Sequence, residues 1–204
     1  MRNLKFVVSW LLTSCILVIL GTFVLLVSHQ AKILNTFFVW HGFYPAFISI
    51  LISFSLILLL MILCTLWKRI REDILSNVIH QISLCSYSVL FLIGTITAVP
   101  EEYVYRGIIG AIIHGNFVMK DIVMSLIFAF SHVQPIVQRR YVYFVWIVFV
   151  STVISSTYLI MHDLAAVMIL HASYNILETA ISMCIHRYLR GSFVQGAERE
   201  SVAD

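Results

Sequence analysis

A succession of long apolar runs, all but the last of them uncharged, decides the solvent in which this chain folds. They occupy residues 6–27, 44–67, 74–99, 122–137, 141–161 and 164–185. A helix needs about 20 apolar residues to cross a bilayer. In lipid each backbone N–H and C=O must also find its partner within the protein. Alternating segments of about ten residues, the mark of an outer-membrane barrel, are absent. The predicted fold is therefore all-α, a polytopic integral membrane bundle of six to seven transmembrane helices. The first run ends in Ser28-His29-Gln30-Ala31-Lys32 rather than at a small-residue cleavage site, which predicts a retained helix, not a removable signal.

Charge supports this and sets the orientation. Only 11% of the 204 residues are charged and 61% are hydrophobic, against a usual charged share of about 25%. The net charge is +3, and the basic residues cluster at the ends of the apolar runs. That pattern fits membrane topology and argues against a nucleic-acid partner. If residues 78–118 cross once, six crossings place Arg2, Lys5, Lys68, Arg69, Arg71, Arg139, Arg140, Arg187, Arg190 and Arg199 on one face. Lys32 and Lys120 then lie on the other, and Arg106 stays in the membrane. A seventh crossing levels the bias, so the positive-inside rule favours six, with cytoplasmic termini in a bacterial-type plasma membrane. A single transmembrane domain is expected over 1–190, its motif-bearing core at about 85–185, followed by a polar, disordered tail at 191–204. Cys15, Cys64, Cys85 and Cys184 lie in apolar runs without Cys-x-x-Cys spacing and read as small buried hydrophobes.

Against this background one stretch stands apart: Pro100-Glu101-Glu102-Tyr103-Val104-Tyr105-Arg106-Gly107. An ionisable residue at membrane depth costs roughly 2.5–3.5 kcal/mol on insertion scales, so the default expectation is a functional site with partnered charges. Pro100 predicts a kink or a new helix start. Glu102 and Arg106 are four apart and share a helix face, with the acid nearer the N-terminus. Glu101 is turned about 100° away and is left for chemistry. Histidines follow in later apolar runs. His132 ends Phe128-Ala129-Phe130-Ser131-His132, and His171 is paired at helical spacing with Asn175. Glu178 lies near that same face. His29, His41, His80, His114, His162 and His186 fall near the ends of runs, where solvation is cheap. Asp121 and Asp163 read as helix N-caps.

Peptide hydrolysis inside a membrane needs a base to hold and deprotonate water, and donors where the carbonyl oxygen becomes negative. A glutamate with a neighbouring histidine can supply the first, and a His/Asn pair the second. His-Glu-x-x-His, Gly-x-Ser-x-Gly and Gly-x-Gly-Asp signatures are absent. The same polar set could instead hold helices together, serve a non-catalytic immunity or binding protein, or relay protons in a small transporter.

Three motifs favour the protease among these readings: Glu101-Glu102-x-x-x-Arg106, Phe128-x-x-x-His132 and His171-x-x-x-Asn175. In these the sequence resembles the CPBP family, the CAAX prenyl protease and bacteriocin-processing (Abi) group of intramembrane endopeptidases. The resemblance covers about residues 85–180. It implies a glutamic protease in which Glu101 activates water with help from His132. His171 and Asn175 would stabilise the oxyanion, while Glu102, Arg106 and Phe128 order the site. The implied substrate is a peptide or lipidated protein tail within the lipid bilayer, processed in CAAX-type cleavage, bacteriocin maturation or self-immunity. No cofactor is expected. A zinc site would have to use Glu101, His132 and His171; it is disfavoured because Asn is a poor zinc ligand and His-Glu-x-x-His is missing. Tyr105 stands where the family often has Phe, a swap that leaves the polar roles intact.

Overall fold

The structure is a computed structural model. It describes residues 2–27, 41–74, 76, 86–132 and 141–201, with side chains for all of these except 2–6, 10 and 186–201. The principal elements are all helical. They are α1 (Arg2–Val27), α2 (Phe43–Leu66), α3 (Tyr87–Glu102), a π-helical turn (Tyr103–Ile108), α4 (Ile109–Ile112), α5 (Phe117–Ser131), α6 (Tyr141–Met161) and α7 (Leu164–Ser201). Among the described residues, four segments are long and apolar enough to cross a membrane: Val7–Val27, Phe43–Leu66, Tyr141–Met161 and Leu164–Ile185. Their apolar residues cover both faces. Leu12, Ile19, Phe43, Phe54 and Leu58 are all more than half exposed, while Leu56, Leu60 and Ile154 are buried. A helix apolar all round belongs in lipid or in a protein core, and the exposed flanks mark lipid.

The six to seven crossings expected from the sequence are not reproduced by this measure. Within the third and fourth apolar runs the α-helices are 16 and 15 residues long. Residues 77–85 and 133–137 of those runs lie outside the described residues. The chain instead makes a helical path through α3, the π turn and α4, then returns on α5. Pro100 lies inside α3 and starts no new helix. The irregularity falls just after it, in the wide turn at Tyr103–Ile108, whose residues are all buried. A π turn keeps the backbone hydrogen-bonded while shifting the phase of the helix, and such turns concentrate at functional sites.

Packing follows from small and hydroxyl-bearing residues. Ser53 on α2 donates to the carbonyls of Ser49 and, across the interface, of Leu170 on α7 at 2.8 Å. Gly21 on α1 lies against Ile108: a Cβ there would sit 2.5 Å from its Cδ1. One residue on, Thr22 and Tyr103 share a hydroxyl hydrogen bond of 2.9 Å. On the other side of the bundle, Asp121 accepts from Ser125 in its own helix and from Ser156 on α6. Asp121 is therefore no cap. The cap of α5 is Asn116, whose side chain accepts from Met119 N at 2.9 Å, so the helix begins earlier than the charge at Lys120-Asp121 suggested.

Asp163 does cap α7, its Oδ1 accepting from Ala166 N at 2.9 Å, and its other oxygen meets His41 Nδ1 at 3.2 Å. Cys64 is buried, but Cys15 and Cys184 are exposed: an apolar thiol on a lipid-facing helix needs no core. Cys85, His29, His80 and Lys32 lie outside the described residues. Helical backbone continues to Ser201 where an irregular tail was expected, since Ala, Glu and Arg favour helix.

The Asp163 cap offers a direct test of this packing. Asp163→Ala removes the cap and the His41 partner together and should cost ~1–2 kcal/mol. Asp163→Asn keeps an acceptor for Ala166 N and should stay closer to the wild type. Thermal unfolding in a mild detergent measures both.

Candidate active site

The most expensive group in the molecule organises the site. Arg106 is completely buried in the π turn, and it is the largest side chain to be so. A buried guanidinium survives only when its N–H groups are met. Nη1 donates to Glu102 Oε1 at 3.0 Å, as the i, i+4 spacing predicts. Nε donates to Ser155 Oγ at 3.1 Å, and Nη2 donates to Ser151 Oγ at 2.6 Å and to the Ser151 carbonyl at 3.1 Å. The Phe128 ring of α5 lies 4.5 Å from the guanidinium carbon, a cation–π contact strengthened by the dry surroundings. One arginine thus pins α3, α5 and α6 together.

The neutralised Glu102 then acts on α7. Its Oε1 also meets His171 Nδ1 at 2.6 Å. A carboxylate oxygen can only accept, so Nδ1 carries the proton and Nε2 is turned the other way. Glu102 Oε2 is buried and has no hydrogen-bond partner. His171 Nε2 faces Glu101 Oε2 across 3.8 Å. That is too long for a direct hydrogen bond, and near enough for both atoms to bond one water. His171 therefore stands between the two adjacent glutamates, tied to one and facing the other.

Asn175 lies one turn further along α7. One of its amide N–H groups goes to the Gly94 carbonyl of α3 at 2.9 Å. The approach is close: a Cβ on Gly94 would sit 3.2 Å from the Asn175 Cβ. The second amide N–H remains available. His132, half-buried at the end of α5, has Nδ1 2.9 Å from the Phe128 carbonyl and 3.1 Å from Ser131 Oγ. The carbonyl is an acceptor, which puts the proton on Nδ1 and leaves Nε2 basic. The His132 ring stacks on Phe128 at 4.5 Å, and the other edge of Phe128 meets His171 at 5.6 Å.

A cavity of ≈ 80 Å³ opens beside these groups, room for two or three waters at about 30 Å³ each. His132, His171 and Asn175 line it together with Phe128, Tyr143, Trp146, Tyr174 and Glu178. Glu101 is not in its wall and approaches it through His171. The structure thus unites Glu101, Glu102, Arg106, Phe128 and His171 by contact, and brings His132 and Asn175 to the same cavity. Among the described residues, no three His, Cys, Asp or Glu side chains converge as metal ligands.

Sequence reasoning missed Ser151 and Ser155. Their own i, i+4 spacing in an apolar run was the available signal, a polar stripe facing something buried. Tyr143, Trp146 and Tyr174 were also missed, because aromatic residues in a membrane helix carry no positional signal.

These features define an integral membrane protein with a buried acid–base cluster beside a small cavity lined mainly by apolar and aromatic side chains. Residues 83–177 match the type II CAAX prenyl endopeptidase Rce1-like family. The matched stretch contains all three motifs, and over these residues, a little under half of its length, the chain is similar to this family of proteases, as its resemblance to the CPBP group led us to expect. No curated protein and no solved structure matches the chain.

Removing one member of a buried ion pair leaves the other unpaired, at about 3–5 kcal/mol. Arg106→Met should therefore destabilise the protein by that order. Adding Glu102→Gln should restore part of the loss, since the stranded carboxylate is gone. Chemical unfolding of both variants in detergent compares them.

Proposed function

We propose that the protein is a CAAX-type intramembrane endopeptidase of the glutamic kind, and that Glu101 and His171 hold the attacking water. The observation that carries this is the 3.8 Å gap between Glu101 Oε2 and His171 Nε2, with the far nitrogen of that histidine bound to Glu102. Two acceptors aimed at one point orient a water by its two protons and leave an oxygen lone pair for attack.

In the reaction, a water O–H bond breaks and its proton passes to the Glu101 carboxylate as the new C–O bond forms. The carbonyl π electrons move onto oxygen. The free N–H of Asn175 is the donor for that oxyanion, its amide plane held by Gly94. His132, with a basic Nε2 on the same cavity, is the alternative acceptor to His171 for one of the water's two protons. Collapse of the tetrahedral intermediate breaks the C–N bond, and the proton on Glu101 goes to the departing nitrogen. Water is consumed, two peptides are released, and Glu101 returns to its starting state. Arg106 and Glu102 keep His171 in one tautomer and one orientation. No step needs a metal or another cofactor. The substrate is a peptide or prenylated protein tail entering from the lipid.

The test compares purified wild type with Glu101→Gln in detergent, on fluorogenic peptides with and without a farnesyl-cysteine, each with and without chelator. General-base catalysis contributes about 10²–10⁴-fold, so Glu101→Gln should lower kcat by at least about 100-fold, and chelator should change nothing. Cleavage that survives Glu101→Gln would remove Glu101 from the mechanism. Cleavage stopped by chelator would show that a metal is required.

A further inference from the structure

The cavity contains a carboxylate that the hydrolysis does not use. Glu178 lies on the same wall as His171 and Asn175, and its described hydrogen bond is a long one, 3.4 Å from the Tyr143 hydroxyl. Next to it the Trp146 indole N–H donates to the Tyr174 hydroxyl at 2.7 Å. That bond fixes two aromatic rings in the cavity wall. A carboxylate this deep in an apolar helix needs a cationic partner or a strong donor to offset its desolvation, and one long bond from a phenol is neither. Aromatic faces beside a carboxylate form the environment that attracts a cationic side chain, by charge and by the ring quadrupoles together.

We propose that Glu178, with Tyr143, Trp146 and Tyr174, is a subsite for a lysine or arginine side chain of the substrate. The position of that residue follows from helix geometry. Glu178 is seven residues beyond His171, a rise of about 10 Å. An extended peptide advances about 3.3 Å per residue, so the basic residue lies about three positions from the bond being cut. The subsite rests on the peptidase reading for its occupant, a peptide, and not for its chemistry, which is recognition of a cation by a carboxylate and aromatic rings.

Fluorescein-labelled farnesyl-cysteine peptides carrying Lys, Arg, Gln or Glu at one of the positions two to four residues from the farnesyl-cysteine are the probes. Their binding is measured by anisotropy in detergent, on full-length chains with Glu101→Gln so that no turnover intervenes. The Lys and Arg peptides should bind about tenfold more tightly than the Gln peptide at one position. The preference should vanish with Glu178→Gln added and turn toward the Glu peptide with Glu178→Lys. The reversal is a signature that a misfolded variant does not give. Equal binding of Lys and Gln peptides at all positions, or a preference that survives Glu178→Gln, would overturn the subsite. Should the preference behave as expected while the chain with Glu101 intact cleaves none of the peptides, the cation site stands and the peptidase reading fails.

Discussion

The fold depends on burying one guanidinium. Arg106 sits in a chain that is otherwise nearly free of charge at membrane depth, and lipid offers it no donor or acceptor. Each of its bonds consequently comes from another helix or from a neighbouring turn. Glu102 supplies the countercharge, Ser151 and Ser155 accept from the fork, and Phe128 covers the face. Without these partners the arginine would cost far more than any single apolar contact returns. With them it becomes the fixed point from which the relative positions of α3, α5 and α6 are measured. The same bonds leave the site no freedom to relax. Glu102, neutralised on one side, can only present its oxygen to His171, and His171 can only turn Nε2 toward Glu101.

The π turn is the backbone counterpart of that arrangement. A regular helix through Pro100 would leave the sequence Glu-Glu-Tyr-Val-Tyr-Arg with one phase. The turn at Tyr103–Ile108 alters that phase while keeping every residue in it buried. Because lipid penalises unbonded backbone, a wide turn is a cheaper way to re-aim side chains than a loop would be. Its tight contacts with α1, at Gly21 and Thr22, hold it from behind. The first apolar helix carries no motif, yet it supports the segment that carries the chemistry.

Labour is divided between long and short helices. The four long apolar segments face lipid and provide hydroxyls and glycine-sized gaps inward. The shorter α3, π turn and α5 carry the glutamates, the arginine, Phe128 and His132. Ser53, Ser151 and Ser155, all buried, do much of the joining: Ser53 donates across to the Leu170 carbonyl, and Ser151 and Ser155 accept from Arg106. Where water is excluded, such bonds position helices that hydrophobicity alone would leave free to slide.

Hydropathy and spacing on their own determined the solvent, the helical class, the Glu102–Arg106 pair and the Asp163 cap. Each of these depends on local periodicity or on the cost of charge in lipid, both of which are written in consecutive residues. The number of crossings was not legible in the same way: among the described residues four segments are long and apolar enough to cross, and parts of two further apolar runs lie outside those residues. The cap at Asp121 was misplaced for a tertiary reason: its carboxylate is taken by Ser125 and by Ser156 of α6, a residue distant in the chain. Tertiary structure alone decided that His171 lies between the two glutamates and that Asn175 spends one N–H on Gly94. It also placed Glu178 in the cavity wall beside His132. Those facts depend on which helix faces cross, and a pattern of apolar residues that is nearly uniform around each helix carries no record of the crossing.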